Sequence, residues 1–216
     1  MTTSNETASI YADLQSRLMS GGFGPSEKLK PAALQGQYGC SANTIRDVLL
    51  RLSKVGLVEF EVQRGFRTRT ISAAARDDVA RFRILLECEG ATRSMEMGGV
   101  AWEAQLSAAH HKLSHIETRM ARTGTPGEDS GLWSAAEWEF HYTLISACGS
   151  HLLLETYSNI YAQFRQQMFA LERDFGEDYF RSIIREHQAI LDAALVRDAD
   201  ACRTAIYDHL KRNLSP

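Results

Sequence analysis

Proline and cysteine are both scarce, four of each in 216 residues. With 44% apolar and 24% charged residues beside so little proline, the chain is neither fibrous nor of low complexity, and it reads as an ordinary folded protein. Cys40, Cys88, Cys148 and Cys202 lie far apart with no CxxC pair. That excludes a zinc knuckle and a dithiol redox motif, and reduced thiols are expected. No apolar run approaches the roughly 18 residues a membrane span needs. The start, MTTSNETASIY, has neither the basic nor the apolar part of a signal peptide, so a cytoplasmic protein without membrane contact is expected. The length suits two modest domains.

Net charge is also low, −3 in total, but it is unevenly spread. Residues 1–72 carry nine Lys/Arg against six Asp/Glu, and the remainder 15 against 21. A basic head on an acidic body directs any polyanion contact to the head.

In the head, Ile10, Leu14 and Leu18 recur every four positions, one face of a helix that Gly21, Gly22, Gly24 and Pro25 bring to a stop. Pro31 suits the first turn of a second helix, where its missing N–H has no partner to lose, and Gly39 suits its end. Ser41 reads as the N-cap of a third helix. Its apolar stripe is Ile45, Val48, Leu49, Leu52 and Val55, with Gly56 just beyond. Two short helices joined by a tight glycine turn form a helix-turn-helix. The period then changes to two: Val58, Phe60 and Val62 alternate with Glu59 and Glu61, Gln63-Arg64-Gly65 makes a turn, and Phe66 to Ile71 runs back. That predicts a β-hairpin wing.

These elements suit double-stranded DNA. Ser41, Asn43, Thr44 and Arg46 open the third helix, whose N-terminal turn would enter the major groove, where Asn and Arg reach base edges. Arg51, Lys54 and the wing cations Arg64, Arg67 and Arg69 suit phosphates, and Gly65 lets the backbone approach the sugar-phosphate wall. The stretch GPSEKLKPAALQGQYGCSANTIRDVLLRLSKVGLVEFEVQRGFRT resembles the DNA-binding domain of the GntR family of regulators. Departures are Ala42 and Asn43, where the family usually has arginine and threonine, and TIRDVL for TPVREAL. The resemblance carries Arg46 and Thr44 over as operator contacts.

After Ser72 no strand pattern remains. Helices are predicted at about 75–97, 101–122, 130–148, 151–173, 177–197 and 199–213, broken at Gly98-Gly99, TGTPGEDSG, Gly149 and Gly176. The expected fold is mostly α: a winged helix-turn-helix over 1–72, then an all-α antiparallel bundle over 73–216. The TGTPGEDSG stretch is expected to be mobile. Glu137 and His141 are four apart, about 40° round a helix, and can share one cation. His187 has Ile183, Ile184, Ile190 and Leu191 around it, and His209 has Ile206 and Leu210, so both fall on inward stripes. Ordinary core histidines and a surface Glu-His pair are equally compatible with these spacings. His110, His111 and His115 lie among Ala, Lys and Ser, on what reads as an exposed face. His151 starts a helix, and Cys148 reads as a small core residue.

The runs EWEFH, EHQAILDAALVRDADA and YDHL, with RFRILLECEGA before them, resemble the helical effector domain of the FadR-type subgroup, known as FCD. The resemblance implies a divalent metal on Glu137, His141, His187 and His209, with a small carboxylate effector beside it. The first ligand departs from the usual Asp. Nitrogen-rich ligation suits Zn, Ni, Fe or Mn. Arg83 matches the signature arginine and has two readings, a fork for the effector's carboxylate or an i,i+4 salt bridge to Glu87. A homodimer follows from paired half-sites, with Leu85, Leu86 and Met95 at the interface or in the core. The function expected is a transcription regulator, more specifically a repressor, controlled by that effector. The alternatives are a regulator without metal and a helical-bundle metalloenzyme, although no general base or catalytic signature stands in the sequence.

Overall fold

Ile10, Leu14 and Leu18 are all buried on one side of α1 (Thr2–Met19), as their four-residue spacing requires. The computed structural model describes residues 2–123, 130–169 and 176–215. Pro31 opens α2 (Pro31–Tyr38) at its first helical position, and Gly39 closes it with φ 66°. Ser41 caps α3 (Ala42–Lys54) by accepting from the Thr44 N–H. The α3 stripe of Ile45, Val48, Leu49 and Leu52 is fully buried against Leu14, Leu34, Leu57 and Phe66.

The wing is β2 (Val58–Glu61) paired antiparallel with β3 (Gly65–Thr68), with Phe60 opposite Phe66. A third strand, β1 (Lys28–Leu29), pairs along the other edge of β3. Two residues are too few to show a period, so β1 is not legible from the sequence alone. The expected inward row of Val58, Phe60 and Val62 is only partly inward. Val58 is buried, Phe60 is 38% exposed and Val62 is 80% exposed, because Val62 already lies in the turn beyond β2.

Six helices follow: α4 (Ala73–Met97), α5 (Val100–Thr123), α6 (Ser130–Ile145), α7 (His151–Phe169), α8 (Gly176–Leu195) and α9 (Ala199–Leu210), with a 3₁₀ turn at Lys211–Asn213. α5 packs against α6 and α8, and α8 against α9. The breaks fall at Gly98-Gly99, at Gly149 and at Asp198, which caps α9 through the Ala201 N–H. Residues 124–129 of the TGTPGEDSG stretch lie outside the described residues.

The chain divides into two compact units, one of residues 1–79 and 159–172, the other of 80–158 and 173–216. The first unit therefore includes the second half of α7. There Gln163 donates to the Val55 carbonyl at 3.0 Å and Gln166 to the Leu57 carbonyl at 2.9 Å. Together they grip the turn between α3 and β2.

Gly56, at the centre of that turn, has φ 78°, and a Cβ there would stand 2.5 Å from Nε2 of Gln163. Gly56→Ala should cost about 1–2 kcal/mol for the left-handed backbone alone, plus the displacement of Gln163. Urea unfolding of Gly56→Ala, Gln163→Ala and the double variant checks this. The double variant should lose less than the sum of the singles, and strict additivity would show that the two positions do not press on one another.

Candidate functional site

Two groups of side chains carry chemistry. The first is the exposed face of α3 and the wing. Asn43, Arg46, Arg51 and Lys54 are exposed on α3. Ser41 and the half-buried Thr44 are occupied with each other: the Ser41 hydroxyl lies 2.9 Å from that of Thr44 as well as accepting from its N–H at 3.1 Å. The Arg46 guanidinium stands 5.9 Å from the ring centres of both Phe60 and Phe66, on the side toward the wing. Arg51 lies over the Tyr11 ring at 4.6 Å. Arg64 pairs with Glu61 at 2.9 Å, both well exposed, and such a pair is weak enough to exchange for a phosphate. Arg67 is exposed and donates to the Ser26 carbonyl at 3.0 Å. Gly65, at the start of β3, has φ 80°.

Arg69 does not join these cations. It donates to the Gly56 carbonyl at 3.2 Å and to Oε1 of Gln163 at 2.7 Å. β3 ends at Thr68, so the alternation that would have turned Arg69 outward beside Arg67 has stopped, and Arg69 braces the α3–β2 turn instead.

The second group lies in the other unit. His141, His187 and His209 come together, all buried, with one donor atom from each within 4.8 Å of the others. Ring centres are 5.3 Å apart for His141 and His187, 5.3 Å for His141 and His209, and 4.4 Å for His187 and His209. Each imidazole holds a carboxylate with its Nδ1. His141 pairs with Glu87 of α4, His187 with Glu117 of α5 at 3.1 Å, and His209 with Glu186 of α8 at 2.9 Å. Glu117 also accepts from Trp133 Nε1 at 3.2 Å, and Glu186 from Arg212. Glu87 is completely buried and accepts from the Tyr157 hydroxyl at 3.0 Å and from Arg83 Nε at 3.2 Å. Of the two readings of Arg83, the i,i+4 bridge to Glu87 is thus present. Glu137 is buried on α6, with its Oε1 3.7 Å from Arg83, and it is not in the group formed by the three imidazoles.

Burial alone would raise the Glu87 carboxyl, but the facing His141, the Arg83 guanidinium and the hydrogen bonds from His141 and Tyr157 hold it down at about 2. Burial pushes His141 below the usual imidazole range against the pull of Glu87. His209 is pushed well below it by burial and then by His187 and His141. Burial thus favours the neutral form of His141 and His209, and all three rings turn Nδ1 toward a carboxylate, which leaves Nε2 as the atom available to bind. Nε2 of His141 and of His187 is buried with no hydrogen-bond partner among the described residues. Orphaned buried nitrogens are rare in a satisfied core. Three imidazoles with anchored Nδ1 atoms fit a divalent transition metal.

Sequence reasoning missed Glu117 and Glu186 and read His110 as exposed. His110 is only 6% exposed, edge-on to Phe140 at 5.6 Å, while His111 and His115 are exposed. Leu106, His110, Leu113, Glu117 and Met120 form one buried stripe of α5. Its three-four spacing was available in the sequence, and it would have placed His110 and Glu117 inward. Cys148 is fully buried and His151 is an exposed helix start.

Comparison with known proteins gives two family matches: bacterial regulatory proteins of the gntR family over residues 6–67, and the FCD domain over 78–212. The HTH-type transcriptional regulator BphR of Paraburkholderia xenovorans is 31% identical over 95% of this chain and 82% of its own length. The HTH-type transcriptional repressor GlaR of Escherichia coli is 27% identical over 93% of this chain and 90% of its own. Among solved structures, Escherichia coli McbR/YncC superposes with a TM-score of 0.79 at 20% identity, covering 96% of this chain and 94% of that one, a likeness of fold.

The depressed imidazoles make stability depend on pH. Below about 6.5 the unfolded chain takes up protons that folded His141 and His209 refuse, so their contribution is present above that value and lost as the pH falls through it. The Glu87 contribution is lost lower, between 4.5 and about 2. The melting temperature of the metal-free chain should fall steadily from about pH 7 to about pH 5, and His209→Gln should flatten part of that slope. A level profile would mean that the imidazoles are not buried in neutral form.

Proposed function

Since the chain belongs to the GntR family of bacterial regulatory proteins and joins that family's DNA-binding domain to an FCD domain, it is a DNA-binding transcription regulator and not an enzyme, and we propose that a small carboxylate effector, bound beside a divalent metal among His141, His187 and His209, sets its operator affinity. The observation that carries the metal half is the set of three buried imidazoles with every Nδ1 anchored to a carboxylate. Zn, Ni, Fe or Mn suits such donors, and coordination positions left open by the protein would take the effector's carboxylate. Arg83 lies close enough to the cluster, through Glu87 and Glu137, to favour an anion there.

Operator contacts are assigned to Asn43, Thr44 and Arg46 for bases, with Ser41 holding the helix end, and to Arg51, Lys54, Arg64, Gly65 and Arg67 for the backbone. Their exposure supports this for all but the half-buried Thr44 and Gly65 and the capping Ser41. We assign repression and a cytoplasmic site of action. No helix of the described residues is long and apolar enough to cross a membrane. A homodimer would match paired half-sites. On α4 the expected interface residues divide: Met95 is core at 3% exposure, whereas Leu85 is 62% exposed and, with Phe82 at 39%, gives an apolar outer face for a second copy.

Coupling is a population shift: the effector favours one arrangement of the helices, and with it one disposition of the heads.

Two measurements test the reading. Arg46→Ala should weaken operator binding by about 1–3 kcal/mol and relax base preference, and unchanged affinity in a titration at fixed salt would remove it from the recognition surface. His187→Ala should lose metal in elemental analysis and, with it, the melting-temperature increment that metal gives the parent chain. A parent chain that binds no metal yet responds to effector would leave the regulator standing without its metal.

A further inference from the structure

We propose that the metal is held by the three imidazoles alone, and that Glu137 serves as a second partner of Arg83 outside the coordination sphere. The proposal rests on the metal reading above and narrows it. Glu137 and His141 have the one-turn spacing that would let them share an ion. The structure separates them in role: Oε1 of Glu137 faces Arg83 at 3.7 Å, and the atoms within 4.8 Å of one another come from His141, His187 and His209 without it.

The surrounding bonds explain why. Each imidazole already has its own carboxylate on Nδ1, Glu87, Glu117 or Glu186, which leaves Nε2 of each as the inward donor. Two of those Nε2 atoms, on His141 and His187, are buried without a hydrogen-bond partner among the described residues. Arg83 is itself completely buried, and Glu87 is shared with His141 and Tyr157. A fully buried guanidinium facing one shared carboxylate draws a second one toward it, and Glu137 is that second one. Three nitrogens on the ion then leave adjacent positions for water or an exogenous oxygen ligand.

The test uses the full chain, stripped of metal and reloaded with Zn²⁺ or Co²⁺ alone. Glu137→Gln should retain one metal per chain, bind Zn²⁺ within about threefold of the parent in chelator competition, and leave the Co²⁺ absorption bands unmoved. Glu117→Gln should weaken Zn²⁺ about 10–100-fold, the usual effect of losing a carboxylate behind a metal-bound imidazole, and Glu117→Asp should recover part of it. His187→Ala should lose the ion. Loss of metal or a displaced Co²⁺ spectrum in Glu137→Gln would falsify the assignment. Glu137→Asp guards against a folding defect, since a true ligand moved back by one methylene shifts the Co²⁺ bands in a folded chain, whereas a bystander does not. A parent chain that binds neither ion overturns the metal reading itself. Metal in the parent that disappears with Glu137 overturns only this inference.

Discussion

A carboxylate with no exposed surface is tolerable only when its oxygens are fully bonded and its charge is balanced. Glu87 of α4 meets that condition with donors from three helices, Arg83 of α4 itself, His141 of α6 and Tyr157 of α7. A similar arrangement recurs around the buried Glu117 and the half-buried Glu186. Glu117 of α5 is held by Trp133 of α6 and His187 of α8, and Glu186 of α8 by His209 of α9 and by Arg212 beyond it. All six helices from α4 to α9 therefore contribute a member to one of three carboxylate-centred networks. Such networks specify a single packing because every alternative strands a buried polar group. The relative placement of three imidazoles from α6, α8 and α9 is a consequence of that constraint.

The head is ordered by a different force. Its core is aliphatic, from Ile10, Leu14 and Leu18 on α1 through Ile45, Val48, Leu49 and Leu52 on α3 to Leu57 and Phe66 under the wing. Polar bonds appear where the chain must turn. Gly56, Arg69, Gln163 and Gln166 tie the end of α3 to the start of β2 through backbone carbonyls. These bonds join the end of α3 to the start of the wing, away from the exposed Asn43 and Arg46 near the helix's beginning.

Elements with a sustained period or a glycine stop could be read from the sequence: α1 from its four-residue spacing, α2 between Pro31 and Gly39, and α3 from the Ser41 cap to Gly56. The helices of the body were legible for the same reason. β1 was not, because two residues carry no period and their pairing with β3 is settled at a distance. His141, His187 and His209 could be picked out by their apolar neighbours, but their carboxylates could not. Glu186 is adjacent to His187 in sequence yet bonds His209 on another helix. Glu117 sits on a stripe whose polarity disguised its burial. Glu137 shows what spacing leaves open: one helical turn brings it alongside His141, and its Oε1 also stands 3.7 Å from Arg83 of α4.

The metal-free fold carries a cost that its hydrogen bonds do not remove. Nε2 of His141 and Nε2 of His187 are buried without hydrogen-bond partners among the described residues, and each such atom forfeits its hydration without compensation. The carboxylates that fix both rings prevent them from turning to find one, so the same bonds that order the site keep it under-satisfied. On the metal reading proposed above, a cation that bound both nitrogens would relieve this, and its binding free energy would appear as folding stability. That relief would be available only while Glu87, Glu117 and Glu186 hold their rings, so it would favour the packing of α4, α6 and α7 in which His141 and Tyr157 both meet Glu87.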